Sequence, residues 1–362
     1  MKLIPRYILL LFTGLSFGSG ANDYSDADRG LFTLSKSSAI AGSDFVFAGD
    51  GTPQVNAANL AFDSLSEISC SYAGFYQNIF STSVMSYATK INENSGLAFS
   101  LNYLYDPGLP YNDNFQTENV GGVAIPIYDS SLVTYHTESL VFFHAAYGRK
   151  LALAPGIDAS GGIAINAERY SLPPYRGYGL GCDAGAAVDF VKQGLRFGLQ
   201  CQNLTTNYIR WSASYSEEAY PHAFFGIGWR TDIPYLYGSV QIQFKSLDLL
   251  GNEGVNATMN STVDSTASKL PAAKHFTKDP LYFLVNGAYG LEYTIMNVAT
   301  LRLGIPVGGS TGTTDWSAMA FGCGVNLMKK KLSLDFAYVT QELGSAYQVG
   351  LTYFWKNDII KD

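Results

Sequence analysis

From Leu281 to Trp355 the chain reads as five consecutive segments of about ten residues in which apolar side chains alternate with small or polar ones. Met319, Phe321, Cys323, Val325 and Leu327 share one face of Ser317–Leu327, with Ala318, Ala320, Gly322, Gly324 and Asn326 on the other. Leu332, Leu334, Phe336 and Tyr338 alternate in the same way with Ser333, Asp335, Ala337 and Val339. Successive side chains of a strand point to opposite faces, so every segment has one apolar face. A soluble β-sandwich and a membrane-spanning β-barrel both carry this period, and other features must separate them.

The N-terminus has a basic start (Lys2, Arg6), an apolar stretch from Tyr7 to Phe17, and small residues at Ser19, Gly20 and Ala21. This pattern predicts a signal peptide over residues 1–21, because the apolar stretch is too short to cross ~30 Å of hydrocarbon. No later apolar run is long enough for a transmembrane helix, so a membrane location requires a closed barrel in which every backbone group is paired. Charged residues make up only 15% of the chain and aromatics 14%, with 37 Gly and 25 Tyr. Soluble domains carry about 25% charged residues, whereas Tyr-rich girdles and small luminal side chains are barrel features. Losing Lys2 and Arg6 takes the formal charge from −7 to −9; such acidity argues against a nucleic-acid partner.

Cys70, Cys182, Cys201 and Cys323 form no CxxC pair, and His136, His144, His222 and His275 have no metal-ligand spacing, so neither a metal nor another cofactor is expected. Two readings stay open for Cys182 and Cys201, which flank the Val191–Gly194 turn: a cross-strand disulfide, or small apolar residues facing lipid. No His follows a nucleophile motif, so the chain is not expected to be an enzyme.

Strands are expected near 66–76, 80–91, 96–105, 133–149, 157–170, 177–190, 195–204, 221–231, 236–247, 281–295, 298–308, 315–328, 332–340 and 345–355. These are fourteen, an even number as single-chain bacterial barrels require. Connections after even-numbered strands are all short, such as Asn92–Ser95 and Val191–Gly194. The long ones, Asp106–Leu132, Thr205–Tyr220 and Asp248–Pro280, all follow odd-numbered strands. That sorting predicts an all-β fold, a fourteen-stranded antiparallel transmembrane β-barrel over 65–355 in the bacterial outer membrane, contacting its lipid, with both termini in the periplasm and a tail at 356–362. Glu292 and Arg302 should face each other across a turn centred on Asn297, with Asp335 extending a luminal polar layer.

Residues 22–64 do not read as wall: Asn22–Arg29 is polar, and Leu31–Gly51 is rich in Ser, Ala and Gly with Phe45 and Phe47 inserted. Within it, Phe45-Val46-Phe47-Ala48-Gly49-Asp50 and Asn56-Ala57-Ala58-Asn59-Leu60-Ala61 resemble the N-terminal plug of FadL-type outer-membrane proteins, the long-chain fatty acid transporters and their relatives. In those proteins an Ala-Phe-Val-Ala-x-Ala-Asp-Asp stretch leads into Asn-Pro-Ala-Gly-Leu-Ala before the first strand; Ala57 and Asn59 stand here for its Pro and Gly. Within that family the chain resembles uncharacterised spirochaete FadL-like proteins or the PorV-like branch that serves protein secretion. The resemblance implies a plug over 22–64 and a ligand site at Phe45, Phe47, Asp50, Asn56, Asn59 and Leu60. It also implies passive transport of a hydrophobic or amphipathic small molecule such as a long-chain fatty acid. In that family the third strand is distorted to open the wall; here Pro107 and Pro110 remove ladder donors, so pairing of the third strand is expected to end beside them. An alternative is a surface-exposed interaction protein whose long loops bind a host partner, or a PorV-like carrier that receives secreted proteins. A general porin would require acid and base residues held apart across a constriction.

Overall fold

The computed structural model describes residues 27–63, 65–112, 117–121, 123–126, 133–213, 216–250, 280–307, 315–328, 331–340 and 344–356. The expected signal peptide, the middle of the Asp248–Pro280 loop and all of the tail beyond Lys356 lie outside these residues.

Fourteen antiparallel strands close a barrel. They are β1 (Ser66–Phe75), β2 (Phe80–Asn92), β3 (Ser95–Asn112), β4 (Val133–Ala154), β5 (Ile157–Leu172), β6 (Tyr175–Phe190) and β7 (Leu195–Gln202), followed by β8 (His222–Ile233), β9 (Gly238–Ser246), β10 (Gly287–Ile295), β11 (Ala299–Ile305), β12 (Ala320–Leu327), β13 (Leu332–Val339) and β14 (Ala346–Trp355). Each pairs with its sequence neighbours, and β14 returns to β1 from Ser66 opposite Trp355 to Phe75 opposite Ala346. β6 pairs with β7 along one half. Its other half carries a short hairpin, Asn207–Trp211 with Ser216–Ala219.

The alternation decides which way the wall faces. In β13, Leu334, Phe336 and Tyr338 are exposed while Ser333, Asp335 and Ala337 are buried. The exterior carries Met85, Tyr87, Phe99, Leu101, Phe143, Ile163, Ile165, Leu301, Phe321, Leu351 and Tyr353, the reverse of a soluble protein. Such a surface is stable only against hydrocarbon. Paired rings at 5.8 Å (Tyr87 with Trp355) and 6.3 Å (Tyr103 with Tyr105) lie toward opposite ends of this belt.

Three sequence expectations need correction. Pro280–Val285 is helical, so β10 begins only at Gly287; the run Leu281–Val285 is apolar without alternation, and the Pro starts a turn. β12 begins at Ala320 rather than near 315. Pairing of β3 with β2 does stop at Tyr105, but pairing with β4 continues to Asn112 through a register shift between Asp106 and Leu109 that loops out Pro107. A bulge absorbs the missing donor without opening the wall. The cysteines are free, and Cys182 stands opposite Ile165, not Cys201.

Candidate functional site

The lumen is occupied by Ala27–Asp63, which runs around the inner wall as a series of short helical turns: Ala27–Leu31, Ser35–Ser38, Asp44–Val46 and Ala57–Ala61. Between them the chain presents small residues, and the wall answers with glycines. Gly96, Gly148, Gly162 and Gly185 stand opposite one another on β3, β4, β5 and β6, a single register row crossing four strands. A Cβ on any of them would collide with Leu60, Ala57 or Asn56. Asn56 caps the last turn by accepting from Ala58 N at 3.0 Å, and its amide donates to Ala186 O and Leu199 O, both at 3.0 Å.

Polar contacts lock the segment mainly against β6 to β8. Arg29 forms a buried ion pair with Asp183 and donates to Pro53 O. Arg196 pairs with Asp189 at 2.7 Å, donates to Val46 O at 3.2 Å, and lies over the rings of Phe47 and Phe62 at 5.0 and 4.2 Å. Gln200 donates to Val55 O. On the other side Lys36 lies 3.3 Å from Asp50 and 3.6 Å from Glu67. Burial works against its charge, but Glu67 and Asp50 together hold its ammonium above the usual lysine range. Burial, reinforced by Asp50, pushes the Asp44 carboxyl up to about 6 against the Ser37 hydroxyl that donates to it. Burial, with the charge of nearby Glu67, pushes the half-buried Asp63 up to about 7.

The six residues expected at a ligand site are all part of this packing. Phe45 is buried against Val46 and Phe224. Phe47 lies partly buried against the same cluster, below Arg196 and Arg230. Asp50 accepts from Thr52 N and pairs with Lys36. Asn59 donates to Phe45 O, and Leu60 packs on Ala88, Ala98, Ala146 and Ala164. Across the lumen Arg302 bridges Glu292 and Asp335, each at 2.6 Å, with Glu292 directly opposite Arg302 in the ladder. Acid and base residues therefore meet in contact rather than facing each other across a constriction.

Two features lay outside the sequence reading. One is the glycine row. The other is an apolar cluster inside the barrel toward the long-loop end: Phe32 and Leu34 from the N-terminal segment meet Val84, Leu104, Leu140, Phe142, Tyr170, Ile209 and Trp211 from the wall. These wall residues break the rule that inward positions are small or polar, and that exception was available in the alternation of β2 to β6.

No family model matches the sequence, and no curated protein matches it. Solved structures do. The Pseudomonas putida toluene transporter TodX aligns with a TM-score of 0.50 at 10% identity, over 89% of this chain and 98% of its own. The chain shares its barrel fold with that protein. The Ralstonia pickettii toluene transporter TbuX (TM-score 0.45, 12% identity, 90% of this chain and 98% of that one) and a Pseudomonas aeruginosa FadL homologue (0.43, 11%, 89% and 98%) also align. At these identities the likeness concerns the fold.

Proposed function

We propose that this protein is a passive outer-membrane channel for hydrophobic or amphipathic solutes, long-chain fatty acids among them, with residues 22–64 as its plug and both termini in the periplasm. The apolar cluster at the long-loop end of the lumen carries this reading. Phe32 and Leu34 cover these inward apolar side chains, and the surface they cover is one that an apolar solute can share. Below them the N-terminal segment packs against the inner wall, which supports its reading as a plug, and the paired charges of the lumen give no separated field for ions. Both facts oppose the porin reading. The interaction-protein reading depends on loops that lie largely outside the described residues.

Reconstitution tests the proposal. Proteoliposomes should take up a radiolabelled long-chain fatty acid or aromatic hydrocarbon faster than protein-free vesicles, while planar bilayers stay nearly silent. Deleting residues 27–63 should raise ion conductance to that of an open pore. Steady conductance in the full chain with no gain in hydrophobic uptake would sink the idea.

A further inference from the structure

Among the buried side-chain atoms that have no hydrogen-bond partner within the described residues, which occur around the lumen, three sit close together on adjacent strands of the inner wall. Ser86 on β2, Asn102 on β3 and His144 on β4 are at most 2% exposed. Ser86 Oγ, Asn102 Oδ1 and His144 Nε2 have no partner among the described residues. The register brings them together, because Ser86 is opposite Ser100, Ser100 is opposite His144, and Asn102 stands one inward row nearer the long loops, opposite Val84 and Phe142. On the N-terminal segment Thr52 Oγ1 is likewise buried and without a partner, and the adjoining Gly51 rests on Ala98, next inward residue to Ser100 on β3.

The surrounding bonds fix what these atoms can accept. Asn166 donates its amide to Asp183 at 3.0 Å, which leaves its Oδ1 to accept from His144 Nδ1 at 2.6 Å. In the neutral ring Nδ1 then holds the proton, and Nε2 offers a lone pair. Asn102 spends its amide on Phe142 O and Ser100 Oγ, both at 3.1 Å, so its Oδ1 is an acceptor as well. Two buried acceptors and two hydroxyls thus adjoin the apolar cluster of Val84, Leu104, Leu140 and Phe142.

We infer that this wall, between the apolar cluster and the N-terminal segment, binds the head of an amphipathic solute, and that the head is a neutral hydrogen-bond donor such as an alcohol or phenol. A carboxylate brings only lone pairs to Asn102 Oδ1 and His144 Nε2, and an alkane leaves both without a partner. The inference rests on the channel reading and narrows its solute class.

Equilibrium binding of radiolabelled 1-dodecanol, dodecanoate at pH 8 and dodecane to the purified full-length protein decides it. Dodecanol should bind roughly ten-fold tighter than either competitor, the scale of one or two net hydrogen bonds. His144→Leu and Asn102→Leu should bring dodecanol down to the affinity of dodecane and leave dodecane itself unchanged. Ser86→Ala, a milder change, should give a partial loss and covers the case in which either larger change fails to fold. Equal binding of dodecanol and dodecane would mean that water alone meets these atoms, and would overturn the inference, as would a preference for dodecanoate or variants that keep the alcohol preference. Binding of none of the three would instead overturn the channel reading beneath it.

Discussion

Arg302 projects from β11 into the lumen and holds a carboxylate on either side, Glu292 from β10 and Asp335 from β13. Gly324 on the intervening β12 leaves room for this bridge, since a Cβ there would meet both Asp335 and Arg302. Arg302→Ala would strand two acidic groups in a poorly solvated interior, with an expected cost of about 3 kcal/mol or more. Changing all three together, Arg302→Met with Glu292→Gln and Asp335→Asn, should recover most of that loss, as read from urea unfolding in lipid vesicles. The acids of the N-terminal segment behave differently. Burial pushes the Asp44 and Asp63 carboxyls up to about 6 and about 7, against 3.8 for the free side chain. Between pH 4 and 7 the folded protein therefore holds protons that the unfolded chain has released, and its stability falls as pH rises through that window. Protease protection of the segment should accordingly strengthen from pH 8 to pH 5, and Asp44→Asn with Asp63→Asn should flatten the profile. Protection that weakens on acidification would contradict this account.

At the scale of elements, the glycine row on β3 to β6 is where wall and N-terminal segment depend on each other most directly. Gly148→Ala and Gly162→Ala each put a methyl into Ala57. The strands themselves lose nothing, since alanine pairs as well as glycine in a ladder. The expected result is an unchanged barrel by circular dichroism with faster cleavage of Ala57–Ala61 by protease; loss of the barrel signal would count against it. The fourteen wall strands were legible in the sequence because lipid on one face and a small-residue lumen on the other impose a period of two. The exceptions have physical causes: Leu281–Val285 has no alternation to show whether it is strand or helix, and a bulge let β3 continue past Pro107. The route of Ala27–Asp63 was not legible, because short helical turns have no period. Phe45, Asn56 and Leu60 mark a special segment but not which strand each one touches. The glycine row could have been found by counting residues from each turn, since Gly96, Gly148, Gly162 and Gly185 lie in register.

For the whole molecule, the lumen has two unlike sides. Toward β6 to β8 the N-terminal segment is fastened by ion pairs, stacked guanidinium groups and backbone acceptors. Toward β2 to β4 it has apolar packing, one hydrogen bond from Lys90 Nζ to Ala61 O at 2.6 Å, and polar wall atoms that it does not satisfy. Movement that admits a solute is therefore expected along the second side, with the first as anchor. The seam between β1 and β14 bears on how such a molecule is made. Residue 66 pairs with residue 355, so the wall closes only when its first strand meets its last. The hydrogen bonds of that seam also close around a segment that precedes β1 and reaches Gln348 on β14, whose amide donates to Thr33 O at 2.5 Å. Until then two unpaired edges cannot rest in hydrocarbon. Closing the wall thus joins its first strand to its last, and the segment ahead of β1 is held from both sides of that seam.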